Sequence, residues 1–133
     1  MDAAAQPKRV LLVGHCGPDS NYLRMMVRAV LGQAEIVSAE DNAAMDRALR
    51  QGVDLILFNR ELSYGFEPDT GVEMIRALKR SHPDWRMMLV SNYPDAQAAA
   101  LDAGAMPGFG KREIGSPRVI SLLRDAVGMH TNP

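Results

Sequence analysis

Short apolar runs alternate with amphipathic helical patterns five times along the 133 residues, and this alternation constrains the fold more than any other feature. The runs occupy residues 9–13, 35–38, 53–58, 86–90 and 105–109, the last being the weakest. The first run is continuously apolar, as in strands buried on both faces of a parallel sheet. Strands that alternate with helices form right-handed βαβ units. The pattern predicts an α/β fold, a three-layer doubly wound sandwich whose five-stranded parallel sheet has the order 2-1-3-4-5, with five helices.

Capping residues and glycines mark the predicted helices. In the first helix, apolar residues follow the spacing of one buried stripe: Leu23, Met26, Val27, Val30 and Leu31. Gly32 ends that helix. Thr70 and Glu73 match a capping box before the third helix, and Ser116 with Pro117 begins the last one.

The bulk composition favours a single cytoplasmic domain. We assign residues 9–127 to that domain, residues 1–8 to an N-terminal tail and residues 128–133 to a C-terminal tail. A net charge of -1 gives no reason to expect nucleic acid as a partner. No apolar run is long enough for a membrane helix, and the N-terminus lacks the pattern of a signal peptide. The single cysteine, Cys16, suits a reducing compartment and is expected to be a small buried hydrophobe rather than a redox group.

In a doubly wound sheet, ligands bind where the strands end, at the switch point between strands 1 and 3. The candidate site residues are therefore those that directly follow each strand. They are Gly14, His15 and Cys16 after strand 1, Asn59, Arg60 and Glu61 after strand 3, Ser91 and Asn92 after strand 4, and Lys111 after strand 5.

The order and spacing of these residues resemble the receiver domain of two-component response regulators. The resemblance extends over about residues 9–127. Its most specific segments are DLILFN at 54–59, VSNYPD at 90–95, LDAGA at 101–105 and Lys111, and TGVE at 70–73 is similar to the family's Asp-Gly-x-Glu start of the third helix. It implies a flavodoxin-like fold and a role in phosphorelay signal transduction.

In that family an acidic pair after strand 1 and an aspartate after strand 3 hold Mg²⁺, and the aspartate accepts a phosphoryl group from a histidine kinase. A serine or threonine and a lysine contact the phosphoryl oxygens. In this sequence the acidic pair aligns with Gly14 and His15, and the acceptor with Asn59, whereas Ser91 and Lys111 match. The resemblance therefore implies that the anion-binding half, with Asn92 beside it, is retained and the metal-binding half is lost.

A neutral amide is a poor nucleophile toward phosphorus, and phosphoryl transfer depends on charge neutralisation by a metal. We therefore predict a pseudo-receiver: no phosphorylation at Asn59, no metal, no cofactor and no enzymatic activity. Lys111 needs a partner, for which the Asn59 amide oxygen, Glu61 or a bound anion could serve. If His15 lies near Lys111, repulsion between like charges favours the neutral imidazole.

The sequence differs from the receiver family at two further places that concern the conformational switch and the cover of the pocket. The position of the family's switch aromatic on strand 5 aligns with Gly108, which has no side chain to reorient. The loop 60–69 is longer than usual in the family and is placed to cover the pocket.

Three hypotheses for function remain open at this stage. The first is a module that binds signalling proteins, such as a histidine kinase or a separate output protein, with homodimerisation through helix 4, strand 5 and helix 5. The second is a sensor of phosphate or another small anion, held by His15, Asn59, Ser91 and Lys111. The third is a phosphorelay receiver that uses another acceptor.

Overall fold

The computed structural model describes residues 7–62 and 64–129. Most of both predicted tails, including His130, lies outside these described residues. Strands and helices alternate in the order β1 (Lys8–Val13), α1 (Gly17–Leu31), β2 (Ala34–Ala39), α2 (Asn42–Gln51), β3 (Leu55–Asn59), α3 (Gly71–Ser81), β4 (Met87–Val90), α4 (Pro94–Ala103) and α5 (Pro117–Ala126). A short 3-10 turn (Lys111–Glu113) precedes α5.

The strands form one parallel sheet in the order β2-β1-β3-β4. Val13 pairs with Ala39 on one side and with Phe58 on the other, and Asn59 pairs with Val90. The carboxyl ends of all four strands consequently lie at one edge of the sheet. This register confirms the predicted α/β architecture and brings the residues after each strand together.

The predicted fifth strand is wrong: the sheet formed by the described residues has four strands. Residues 105–109 lie beside β4 but make one isolated parallel bridge, between Phe109 and Val90. The physical reason is local, because Pro107 has no N–H to donate to a ladder. At Gly108 the backbones are so close that an added Cβ would lie 2.2 Å from the carbonyl oxygen of Leu89. The segment therefore takes the place of a fifth strand without forming a regular ladder, although the Met106 and Phe109 amides donate hydrogen bonds to β4 and the Ser91 amide donates one to Phe109.

The core consists of one apolar layer on each face of the sheet. Under α1 and α5, side chains such as Leu12, Leu57 and Phe109 are almost fully buried. Under α2, α3 and α4, the corresponding residues include Phe58 and Leu89. All five residues of the stripe predicted for α1 are buried. Each large side chain contributes roughly 1.5–3 kcal/mol on burial, so these two layers hold the carboxyl edge in place.

Side-chain caps fix where the helices begin. The Thr70 hydroxyl accepts a hydrogen bond from the Glu73 amide at 3.2 Å, and the Ser116 hydroxyl accepts one from the Val119 amide at 3.3 Å. The Glu73 carboxylate lies 3.5 Å from Nε of Arg76. These caps start α3 and α5 close to the carboxyl edge. Among the described helices, none is both long and apolar enough to cross a membrane.

Candidate functional site

The loops after β3 and β4 and the turn at Lys111 enclose an open cleft at the carboxyl edge. The cleft has a volume of about 230 Å³ and is lined by Asn59, Arg60, Glu61, Val90, Ser91, Asn92, Tyr93 and Lys111. Four predicted site residues, Asn59, Ser91, Asn92 and Lys111, are therefore brought together. Gly14 and His15 lie at the adjoining end of β1.

The Asn59 side chain joins two loops through its amide nitrogen. Nδ2 donates one hydrogen bond to the carbonyl oxygen of Gly14 at 3.2 Å and another to that of Glu61 at 2.9 Å. The nitrogen must face these carbonyls, since the amide oxygen has no hydrogen to donate. A carboxylate in the same position would set oxygen against oxygen at both contacts. The local structure is therefore complementary to asparagine and not to aspartate.

An apolar side chain covers the end of β1. Gly14 has a φ of +79°, and an added Cβ would lie 2.5 Å from Cδ2 of Leu62. Leu62 is only 8% exposed, and Phe66 in the same loop is 3% exposed. The loop 60–69 thus covers Gly14, as its length suggested, but leaves the cleft at Asn59, Ser91 and Lys111 open. A carboxylate side chain at position 14 would have to adopt a strained positive φ and displace the Leu62 side chain.

Lys111 forms an ion pair with Asp19, which lies in the first turn of α1. Among the described residues the partner of Lys111 is thus Asp19, and not Asn59 or Glu61. The hydrogen bond from Lys111 lowers the pKa of Asp19, partly opposed by burial. The sequence places Asp19 near the start of the helix that follows β1 but does not pair it with Lys111. The reach of Asp19 across the edge to Lys111 depends on the folded geometry.

His15 is neutral, as predicted, although the main cause differs. Burial lowers its pKa from 6.5 to about 4; the hydrogen bond to Leu57 opposes this shift, and the nearby charge of Lys111 adds to it. Nε2 lies 2.9 Å from the Leu57 carbonyl oxygen and donates to it, while the buried Nδ1 has no hydrogen-bond partner among the described residues. Cys16 is exposed at the N-cap of α1 and not buried as predicted.

The remaining polar groups of the cleft bind one another. The Ser91 hydroxyl accepts a hydrogen bond from the Tyr93 amide at 3.1 Å. The Arg60 guanidinium lies 4.7 Å above the centre of the Tyr93 ring and 3.3 Å from the Glu61 carboxylate. Asn92 Oδ1 accepts from the Arg112 amide at 3.2 Å. The cleft is therefore polar, but most of these polar groups already bind other groups of the protein.

Sequence reasoning missed Gln97, which occupies the space beside Gly108. Its Nε2 lies 2.9 Å from the carbonyl oxygen of Leu89, 3.0 Å from that of Ser91 and 3.3 Å from that of Phe109. An added Cβ on Gly108 would lie 2.8 Å from Oε1 of Gln97. Gln97 thus fastens α4 to β4 and to the adjoining segment.

The cleft does not fit Mg²⁺, the metal that the family resemblance implies. Mg²⁺ needs oxygen ligands, usually with one or two carboxylates. At this site the Asn59 N–H groups occupy the two nearest carbonyl oxygens, Leu62 covers Gly14, and Asp19 is paired with Lys111. Within residues 7–62 and 64–129, no group of three or more His, Cys, Asp and Glu side chains is arranged to hold a metal.

Comparison with known proteins yields matches by structure alone. No family model and no curated protein matches the sequence. A putative response regulator from Chloroflexus aurantiacus J-10-fl matches with a TM-score of 0.78 and 13% identity, over 92% of this chain and 99% of that chain. The receiver domain of an HD domain-containing protein from Pseudomonas fluorescens Pf-5 gives 0.76 and 17%, over 96% and 92%.

A third structure, the receiver domain of a DNA binding response regulator from Colwellia psychrerythraea 34H, gives a TM-score of 0.72 at 13% identity. It covers 91% of this chain and 98% of that chain. This chain has the fold of a response-regulator receiver domain. In this receiver fold, the carboxyl edge presents Asn59 and the Lys111–Asp19 pair.

Proposed function

We propose that this chain is a receiver-like signalling domain that is not phosphorylated at position 59 and acts by binding other proteins. The observation that carries the proposal is the position of Asn59 at the end of β3, with its amide nitrogen bonded to Gly14 and Glu61. An amide offers no carboxylate oxygen to attack phosphorus. Its N–H groups also occupy the carbonyls that would face an incoming cation.

The charges around the cleft support the same proposal. Phosphoryl transfer relies on positive charge to neutralise the transferring group. The charge of Lys111 is balanced by Asp19, and the neutral imidazole of His15 supplies none. We therefore also propose that the chain has no enzymatic activity of its own and functions in the cytoplasm.

The partner is a protein of a signalling pathway, either a histidine kinase or a separate output protein. On α4 and its N-cap, Leu101 and Tyr93 are 48% and 60% exposed and offer apolar surface for such a contact. A homodimer through α4, the segment 105–109 and α5 would use the same face. Because Gln97 fastens α4 to the sheet, we expect this face to have one shape that does not depend on phosphorylation.

Intact-protein mass spectrometry tests the proposal. The protein is incubated with Mg²⁺ and acetyl phosphate, beside a conventional receiver domain as the positive control. We expect no mass increase of one phosphoryl group, whereas the control acquires one. An acid-labile adduct mapped to another carboxylate would overturn the proposal and establish a receiver with a different acceptor.

The anion-sensor hypothesis is disfavoured by the Lys111–Asp19 ion pair. An incoming phosphate would have to displace the Asp19 carboxylate, which already binds the lysine. An ammonium that already has an anionic partner gains less from a second anion. Binding of inorganic phosphate to the wild-type cleft, detected by amide shifts at Lys111 and Ser91, would restore this hypothesis.

A further inference from the structure

We infer that the Asn59 side-chain amide takes the place of a divalent cation in joining the loop after β1 to the loop after β3, so that the carboxyl edge assembles without metal. The geometry resembles a cation site with nitrogen at its centre. The carbonyl oxygens of Gly14 and Glu61 converge on one point, 3.2 Å and 2.9 Å from Nδ2. Carbonyl oxygens are ordinary ligands for hard cations. Here two N–H groups supply the positive ends that a cation would otherwise supply.

The surroundings prevent a cation from joining the amide. Leu62 packs over Gly14 and places apolar atoms on that side of the bridge, while the two N–H groups of Asn59 occupy both carbonyl oxygens. Asp19 neutralises Lys111 instead of contributing an oxygen to the site. The Asn59 bridge therefore has no competitor in the folded protein, and the state of the two loops is independent of the concentration of Mg²⁺.

Replacing the amide by a carboxylate reverses this arrangement. In Asn59→Asp, a carboxylate oxygen takes the position of Nδ2, 3.2 Å from the carbonyl oxygen of Gly14 and 2.9 Å from that of Glu61. Without a cation these oxygens repel one another, and two hydrogen bonds are lost. With a cation they form a small oxygen site of the kind that Mg²⁺ or Ca²⁺ accepts weakly. Asn59→Ala loses the same hydrogen bonds but gains no ligand.

Thermal unfolding in EDTA and in 20 mM MgCl₂ tests the inference with four proteins: wild type, Asn59→Asp, Asn59→Ala and Asn92→Asp. The last is the matched control, because it adds the same charge in the same cleft and keeps the oxygen that accepts from the Arg112 amide. We expect the Tm of the wild type to be equal in both buffers. In EDTA both Asn59 variants should unfold roughly 5–10 °C lower than wild type.

Magnesium should separate the variants. We expect MgCl₂ to raise the Tm of Asn59→Asp by about 3 °C or more, as binding to the folded state alone requires, and to leave Asn59→Ala and Asn92→Asp unchanged. A wild type stabilised by Mg²⁺, an Asn59→Asp protein as stable as wild type in EDTA, or one that Mg²⁺ does not rescue would each overturn the inference. If Asn59→Asp does not fold, the wild-type and Asn59→Ala measurements still decide whether the bridge is metal-independent and stabilising. This inference and the proposed function can be refuted independently, because phosphorylation is measured by mass and the Asn59 bridge by Tm.

Discussion

Acidification should destabilise this receiver fold through one partly buried side chain, His15. Its pKa is about 4 in the folded protein, against 6.5 for an ordinary histidine. The unfolded chain therefore binds a proton between these values that the folded protein does not accept, and stability falls as the pH falls. The contribution is fully present above pH 6.5 and is lost progressively down to about pH 4. At about 1.4 kcal/mol per pKa unit, its upper limit is about 3 kcal/mol.

Urea unfolding at pH 7 and pH 4.5 measures this loss. From the two pKa values we expect the free energy of unfolding of the wild type to fall by roughly 2 kcal/mol between these pH values. His15→Gln keeps an N–H that can reach the Leu57 carbonyl but cannot take up a proton, so most of that loss should disappear. His82→Gln is the control, since His82 stacks on Trp85 away from the cleft. An equal loss in wild type and His15→Gln would show that protonation of His15 does not cause the acid destabilisation.

Three other substitutions test the described contacts. Gly14→Asp should lower the free energy of unfolding in urea by roughly 2–4 kcal/mol without creating Mg²⁺ affinity. The new Cβ would contact Leu62, and the backbone φ at this position is positive. An unchanged free energy of unfolding would contradict this prediction. Asp19→Asn should free Lys111, so that inorganic phosphate shifts the Lys111 and Ser91 amides in the variant alone; equal shifts in wild type would show that the ion pair does not protect the cleft. Gln97→Leu should speed hydrogen exchange of the Ser91 and Phe109 amides roughly tenfold or more. The reason is that the carbonyl oxygens of Leu89, Ser91 and Phe109 lose the side-chain donor that now binds them. Unaltered exchange would show that Gln97 does not fasten α4.

The sequence was most informative where the signal is local. The stripe from Leu23 to Leu31 predicted the buried side of α1, and Thr70 and Ser116 predicted where α3 and α5 begin. Each of these signals acts within one or two turns of helix. The prediction of a fifth strand was wrong for an equally local reason. Residues 105–109 are apolar, but they include Pro107 and Gly108, which interrupt the regular hydrogen bonds of a ladder.

The sequence predicted which residues line the cleft, but it did not predict which partners they contact. Strand ends in a parallel sheet must meet, so Asn59, Ser91, Asn92 and Lys111 could be placed in one cleft in advance. The partner of Lys111 could not, because Asp19 is distant in sequence and approaches only once α1 and the Lys111 turn are packed. The contact between Leu62 and Gly14 was likewise not predictable, since it depends on the path of a long loop.

The most direct measurement of the central claim is an amide NMR titration of the wild-type protein, first with Mg²⁺ and then with Mg²⁺ plus beryllofluoride, a mimic of acyl phosphate. We expect no saturable shifts at Asn59, Ser91 and Lys111 in either step, because the Asn59 amide joins the two loops and Asp19 pairs with the lysine. Saturable shifts at these three residues would show that a working acceptor pocket exists and that position 59 does not prevent phosphorylation chemistry.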